Sequence, residues 1–160
     1  MFMGKLLAHA GLLADREVTW MPSYGAEVRG GTAYSMVKIS DGEIASPIVT
    51  NPSALVVMNR PSLLKYESRL TDGGVLVSNK SLAGNPSKRK GVAFVNIPMT
   101  KIAHQIGDTR CANMIAVGAL TKRSKMISLK HVLAALESAS KNKEDALAKN
   151  KKALEKGYKW

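Results

Sequence analysis

Ala54-Leu55-Val56-Val57-Met58, followed by Asn59-Arg60-Pro61-Ser62-Leu63-Leu64 and, past Asp72-Gly73-Gly74, by Val75-Leu76-Val77-Ser78, is the stretch that decides the fold. The first run is apolar at every position, the pattern of a strand covered on both faces, as in a parallel sheet. Pro61 suits a first helical turn, where its missing N–H costs nothing. Ser62 to Leu70 then carries Leu63, Leu64 and Leu70 on a helix, and Asp72-Gly73-Gly74 closes it. Val75 to Ser78 reads as the next buried strand. A strand, a helix and a strand within about 25 residues make a βαβ unit, whose crossover is right-handed as a rule.

Working outward, Met3 to Ala14 has Leu6, Leu7, Ala10 and Leu13 at helical intervals, with Gly11 as a blemish and no Ser, Thr, Asp or Asn ahead of Met3 to cap it. Glu17 to Met21 reads as a short strand. Thr32 to Ile39 alternates Ala33, Ser35, Val37 and Ile39 in strand fashion, and Asp41-Gly42 supplies a turn. Ile44 to Val49 contains a proline and is at best an edge or extended segment. Downstream, Asn79 to Lys90 reads as an exposed connection and Val92 to Ile97 as a strand ended by Pro98. Thr100 to Ile106 reads as a short helix capped by Thr100. Ala112 to Leu120 is small and apolar nearly all round, which favours a helix buried on several sides or at a subunit interface. Ser128 can cap a helix over Leu129–Ala139, and Lys143 to Lys156 is a last amphipathic helix stopped by Gly157. The expectation is a single α/β domain over residues 1–160, Rossmann-like and three-layered, with a mostly parallel sheet and a helical C-terminal third. Residues 141–160 form its basic amphipathic end.

Composition removes several functions. A chain of 160 residues that is 45% hydrophobic has enough apolar content for a core. No apolar run approaches the roughly 20 residues of a membrane span, and the opening segment has no secretory cleavage pattern, so a cytoplasmic protein is expected. The single cysteine, Cys111, excludes an intrachain disulfide, a four-cysteine zinc site and a cluster held by this chain alone. The net charge of +12 raises nucleic acid. Its distribution argues against that, because the excess lies mostly beyond Lys122, alternating with Ala and Leu at helical spacing with few aromatics to stack on bases. No nucleic-acid partner is expected.

The polar loop Trp20 to Ala33, W-M-P-S-Y-G-A-E-V-R-G-G-T-A, holds most of the candidate site. Gly25, Gly30 and Gly31 either permit positive φ where the chain reverses or allow a close approach by ligand or subunit. Glu27 and Arg29 are two apart, so an extended backbone projects them to one side, as a pair or toward separate partners. Tyr24 is a stacking or interface-packing group. Asn113, set in an apolar helix, needs hydrogen-bond partners from a neighbouring loop or subunit. His9, His104 and His131 lack metal-ligand spacing, and Cys111 reads as a small buried residue. No catalytic and no metal-binding residue is assigned.

Taken in order, P-S-Y-G-A-E-V-R-G-G-T-A (Pro22 to Ala33), Ser46-Pro47, N-R-P-S-L (Asn59 to Leu63), Gly73 to Leu76, R-C-A-N-M (Arg110 to Met114) and K-A-L-E-K-G-Y (Lys152 to Tyr158) resemble the gamma subunits of 2-oxoacid:ferredoxin oxidoreductases. The resemblance covers nearly the whole chain, and the loop is most similar to that of the 2-oxoglutarate enzymes. It implies a complex that decarboxylates 2-oxoglutarate or a related 2-oxoacid on thiamine diphosphate with Mg, passes electrons through iron–sulfur clusters to ferredoxin and transfers the acyl group to coenzyme A. Those cofactors belong to partner subunits, alpha and beta, with a ferredoxin-like delta subunit as a further candidate. The gamma subunit contributes to assembly and to the surroundings of the active site, is inactive alone, and Arg29 gains weight as an intersubunit or active-site-facing group. Family members generally begin with a strand and a G-x-G-G-Q-G turn ahead of the helix that here starts at Met1. That segment is missing from this sequence, through an internal start or a shortened protein. The alternative reading, a free-standing α/β module binding a nucleotide or phosphate, needs a glycine-rich turn opening a helix, whereas Gly30-Gly31 precede a strand.

Overall fold

The computed structural model describes residues 1–24, 33–87, 89–140 and 143–160. In chain order its elements are α1 (Phe2–Leu12), β1 (Glu17–Ser23), β2 (Tyr34–Ser40), β3 (Ala54–Val57), α2 (Arg60–Tyr66), β4 (Val75–Asn79), α3 (Lys80–Ala83), β5 (Ala93–Ile97), α4 (Met99–Ile106), α5 (Ala112–Ser124), α6 (Leu129–Ala139) and α7 (Glu144–Lys159). They divide into two compact units. One comprises Met1–Val49 and Met126–Ala139, the other Thr50–Lys125 and Ser140–Trp160.

In the first unit β1 and β2 form a two-stranded antiparallel sheet running from Glu17↔Ser40 to Ser23↔Tyr34. Among the described residues these strands pair only with each other, in a sheet separate from β3–β5. The helix α1 starts uncapped, as its sequence suggests, and packs against both strands and α6. Gly11 is explained by that packing. A Cβ there would collide with Val18 Cγ2, so the glycine lets helix and strand close together. The chain bends at Asp41-Gly42, where Asp41 pairs with Arg16 at 2.8 Å. The α6 start is set by Ser128, whose carbonyl accepts from Val132 N–H and whose hydroxyl meets His131 Nδ1 at 3.0 Å.

The second unit is the βαβ unit read from sequence, extended by one strand. Its sheet has the order β3-β4-β5, all parallel, with Val57, Ser78 and Asn96 in register at the C-terminal ends. Asn59 caps α2 by accepting from Ser62 N–H at 3.0 Å, with Pro61 in the first turn. Four consecutive residues of β4, Leu76 to Asn79, are buried. Side chains alternate in a strand, so both faces of β4 are covered and the unit has three layers. Leu55, Val57, Leu76 and Phe94 pack with Leu63, Leu70 and Ala83, while Val77, Val95 and Ile97 project to the opposite face. The expectation for β3 is corrected. It is an edge strand, only Val57 in it is fully buried, and its unbroken apolar run therefore overstates its coverage.

Three further readings are corrected by packing. Residues 80–83 of the expected loop form α3, capped by Asn79. The helix α4 begins at Met99, and Thr100 does not cap it. Instead Asn79 Nδ2 donates to Thr100 Oγ1 at 2.9 Å. Gly157 does not end the last helix, which continues to Lys159. A Cβ on Gly157 would strike Ile115 O, and one on Gly118 would strike Leu154 O. Two glycines thus let α5 and α7 touch backbone to backbone, and the buried surface of α5 from Met114 to Thr121 follows from this contact.

Candidate functional site

Open parallel sheets bind ligands outside the carboxyl ends of their strands. Here the polar groups at that edge hold the structure together. Asn59 caps α2. Asn79, fully buried, accepts from Ser81 N–H at 3.3 Å and bonds Thr100. Asn96 Nδ2 donates to Gly84 O at 3.3 Å and Asn85 Oδ1 at 3.0 Å, and Arg60 Nη1 reaches Ala83 O and Asn85 O, each at 3.3 Å.

A cleft of about 400 Å³ lies elsewhere in the same unit, lined by His104, Gly107, Asp108, Thr109, Arg110 and Lys149. Its geometry follows from how α4 stops. Gly107 takes the left-handed conformation (φ 92°) that ends the helix, and Asp108 opens a single 3₁₀ turn over Thr109–Cys111. The Asp108 carboxylate accepts from the Arg110 backbone N–H at 2.9 Å, from Nε at 3.0 and 3.2 Å and from Nη2 at 2.8 Å. Its carbonyl accepts from Cys111 N–H at 3.1 Å and Sγ–H at 2.8 Å. Across the cleft Lys149 pairs with Asp145 at 2.6 Å.

Hydrogen bonds from Arg110 bring the Asp108 carboxyl down to about 2, from an ordinary 3.8. A depressed carboxylate adds stability above about pH 4 that is lost as pH falls toward 2. The Asp108 carboxyl resonance should therefore titrate near pH 2, and higher in Arg110→Ala, where the backbone N–H of residue 110 still favours the carboxylate; a wild-type midpoint at the ordinary value would mean that the fork does not persist. Burial, then the Asp108 charge, pushes the Cys111 thiol up, which with its near-complete burial makes it a packing residue.

The residues singled out from sequence fall in different places. Tyr24 follows β1 and is 70% exposed. Gly25, Glu27, Arg29, Gly30 and Gly31 lie outside the described residues. Asn113 sits in the first turn of α5, half-buried, and its Oδ1 is buried with no hydrogen-bond partner among the described residues. The cleft residues Asp108, Arg110 and Lys149 were missed as a group. Their signal was the spacing Gly107-Asp108-Thr109-Arg110, a helix stop followed by an acid two residues before a base.

The profile of pyruvate ferredoxin/flavodoxin oxidoreductases matches residues 1–160. The chain belongs to this family. Among relatives it is 35% identical over 159 residues to the 2-oxoglutarate synthase subunit KorC of Methanocaldococcus jannaschii, covering 97% of this chain and 83% of that one. It is 31% identical over 159 residues to the ketoisovalerate oxidoreductase subunit VorA of Methanothermobacter thermautotrophicus, covering 99% of this chain but 33% of VorA. The chain thus spans about a third of the length of that relative. The fold matches the gamma subunit of a keto/oxoacid ferredoxin oxidoreductase from Geobacter sulfurreducens, with a TM-score of 0.81 at 25% identity over 99% of this chain and 88% of that one. It also matches 2-oxoglutarate:ferredoxin oxidoreductase from Magnetococcus marinus, solved with 2-oxoglutarate, coenzyme A and succinyl-CoA bound, with a TM-score of 0.84 at 25% identity over 98% of this chain and 28% of that one. The motif resemblance and the family agree.

Proposed function

We propose that this chain is the gamma subunit of a 2-oxoacid:ferredoxin oxidoreductase, one domain over residues 1–160 that works with alpha and beta subunits and a ferredoxin-like delta subunit in the cytoplasm. The complex would oxidatively decarboxylate 2-oxoglutarate or a related 2-oxoacid to the acyl-CoA and reduce ferredoxin. The observation that carries this is the family match over the whole sequence, together with a relative of similar length, KorC. No described helix is long and apolar enough to cross a membrane.

The residues present do not fit the redox cofactors. One cysteine cannot supply the thiolates of an iron–sulfur cluster, and no three His, Cys, Asp or Glu side chains among the described residues gather as a metal site. We assign thiamine diphosphate, Mg and the clusters to partner subunits, a reading that the single cysteine supports for the clusters, with coenzyme A as a co-substrate of the assembly. This chain supplies surfaces for its partners and polar groups near the reaction. Trp20 in β1 and Tyr24 just after it are both exposed, as interface aromatics are before assembly.

Purification from source cells tests the proposal. The chain should come away with thiamine-binding partners, and that fraction should reduce ferredoxin in a reaction needing 2-oxoacid and coenzyme A. Turnover by the isolated chain would contradict it. Arg29→Ala in the reconstituted complex should reduce turnover or assembly by about tenfold or more, the worth of one charge-assisted hydrogen bond. Unchanged rates and assembly would remove Arg29 from the site.

A further inference from the structure

We infer that Asp108 is a positioning residue, gripping Arg110 side-on so that the outer edge of the guanidinium faces the cleft and receives an oxyanion of the complex's small-molecule substrates. The inference rests on the functional reading above. The Arg110 side chain is 87% exposed while that of Asp108 is only 16% exposed, so a fixed carboxylate holds a solvent-facing cation. Exposed ion pairs contribute little to stability, so the three side-chain contacts and the backbone bond that converge on this carboxylate matter for the orientation that they give the guanidinium.

A guanidinium has five N–H donors in one plane. Asp108 takes the Nε and Nη2 side, which leaves the Nη1–Nη2 end, the edge that accepts a second carboxylate or a phosphate in bidentate fashion. The surroundings suit such a ligand. The cleft beside Arg110 is also lined by His104 and Lys149, and Lys149 has its own counter-ion in Asp145. The loop that carries the fork is anchored by both Cys111 bonds to the Asp108 carbonyl, so the arginine is oriented before any ligand arrives. Preorganisation of this kind lowers the ordering cost of binding. Every substrate of the proposed reaction brings a suitable group: a 2-oxoacid its carboxylate, coenzyme A its phosphates.

The test is calorimetric titration of the reconstituted complex with coenzyme A and, separately, with 2-oxoglutarate, for wild type, Asp108→Ala, Asp108→Glu, Arg110→Ala and Arg110→Lys. Asp108→Ala and Arg110→Ala should each raise Kd about tenfold for one titrant. A change confined to coenzyme A assigns the oxyanion to phosphate, and one confined to 2-oxoglutarate assigns it to carboxylate. Arg110→Lys should fail to rescue, because an ammonium lacks the fork, and Asp108→Glu should recover part of the affinity. Unchanged Kd for both titrants in Asp108→Ala overturns the inference, as does a defect confined to subunit association. A wild-type complex that binds these compounds, with the expected loss in Asp108→Ala, but does not oxidise the acid would refute the functional reading and leave this inference standing.

Discussion

Gly118→Ala should lower the thermal midpoint of the chain by about 5–10 °C, equivalent to roughly 2–3 kcal/mol for a domain of this size. Alanine is intrinsically the better helix former by about 1 kcal/mol, so propensity alone predicts the opposite sign. The environment decides. A Cβ at Gly118 would overlap Leu154 O and Tyr158 N, and these are backbone atoms of α7 that cannot rotate away. The two helices would have to separate, opening the packing around Ile115, Met114 and Leu154, all fully buried. Overpacking a core costs about 1–3 kcal/mol even where side chains can adjust. Gly157→Ala should behave alike, since it meets Ile115 O from the other helix. Gly42→Ala is the control: nothing lies within contact of its Cβ, and its effect should stay within about 0.5 kcal/mol. Calorimetry of the three variants is sufficient. A Gly118→Ala midpoint at or above wild type would mean that α5 and α7 do not approach as described.

Asn79→Ala should cost a similar amount, about 2–3 kcal/mol, by a different route. Asn79 is fully buried. Its Nδ2 donates to Thr100 Oγ1 at 2.9 Å, and its Oδ1 accepts from Ser81 N–H at 3.3 Å and from Thr100 N–H at 3.4 Å. One amide therefore serves the first turns of both α3 and α4 at the end of the central strand. Truncation leaves the hydroxyl and both N–H groups without that partner, and a lost cap alone costs about 1 kcal/mol. Hydrogen exchange should show faster opening of residues 80–83 and 99–102, with β4 little changed. Uniform acceleration through the sheet would contradict the local role.

Gly157 and Asn79 also mark the limit of what the sequence discloses. The βαβ core was legible because both strands are written as apolar runs, although only β4 is covered on both faces and the run in β3 overstates its burial, and because Pro61 and Gly73 punctuate the helix between. The end of α7 was misread because Gly157 carries the same letter as a helix stop, yet its function is a close approach to Ile115, a residue 42 positions away. Asn79 was placed in an exposed connection because Ser, Gly, Asn and Pro cluster after it; only the fold brings Thr100 to its side chain. The Asp108–Arg110 fork is local and could have been read. Asn113 stands out in the sequence as a polar group among apolar neighbours, and its buried Oδ1 lacks a partner among the described residues. Tyr24 is exposed, and its interface role stands as proposed. Arg29 and its neighbouring glycines lie outside the described residues, and their role stands as proposed.

The central claim is that this chain is an obligatory, non-catalytic subunit of a 2-oxoacid:ferredoxin oxidoreductase. The most direct measurement is ferredoxin reduction by the remaining subunits, with 2-oxoglutarate and coenzyme A supplied, before and after the purified chain is added. The account predicts no turnover from this chain alone, little from the remaining subunits, and saturable restoration at a fixed stoichiometry when the two are combined. Full activity without the chain, or turnover by the chain on its own, would contradict it.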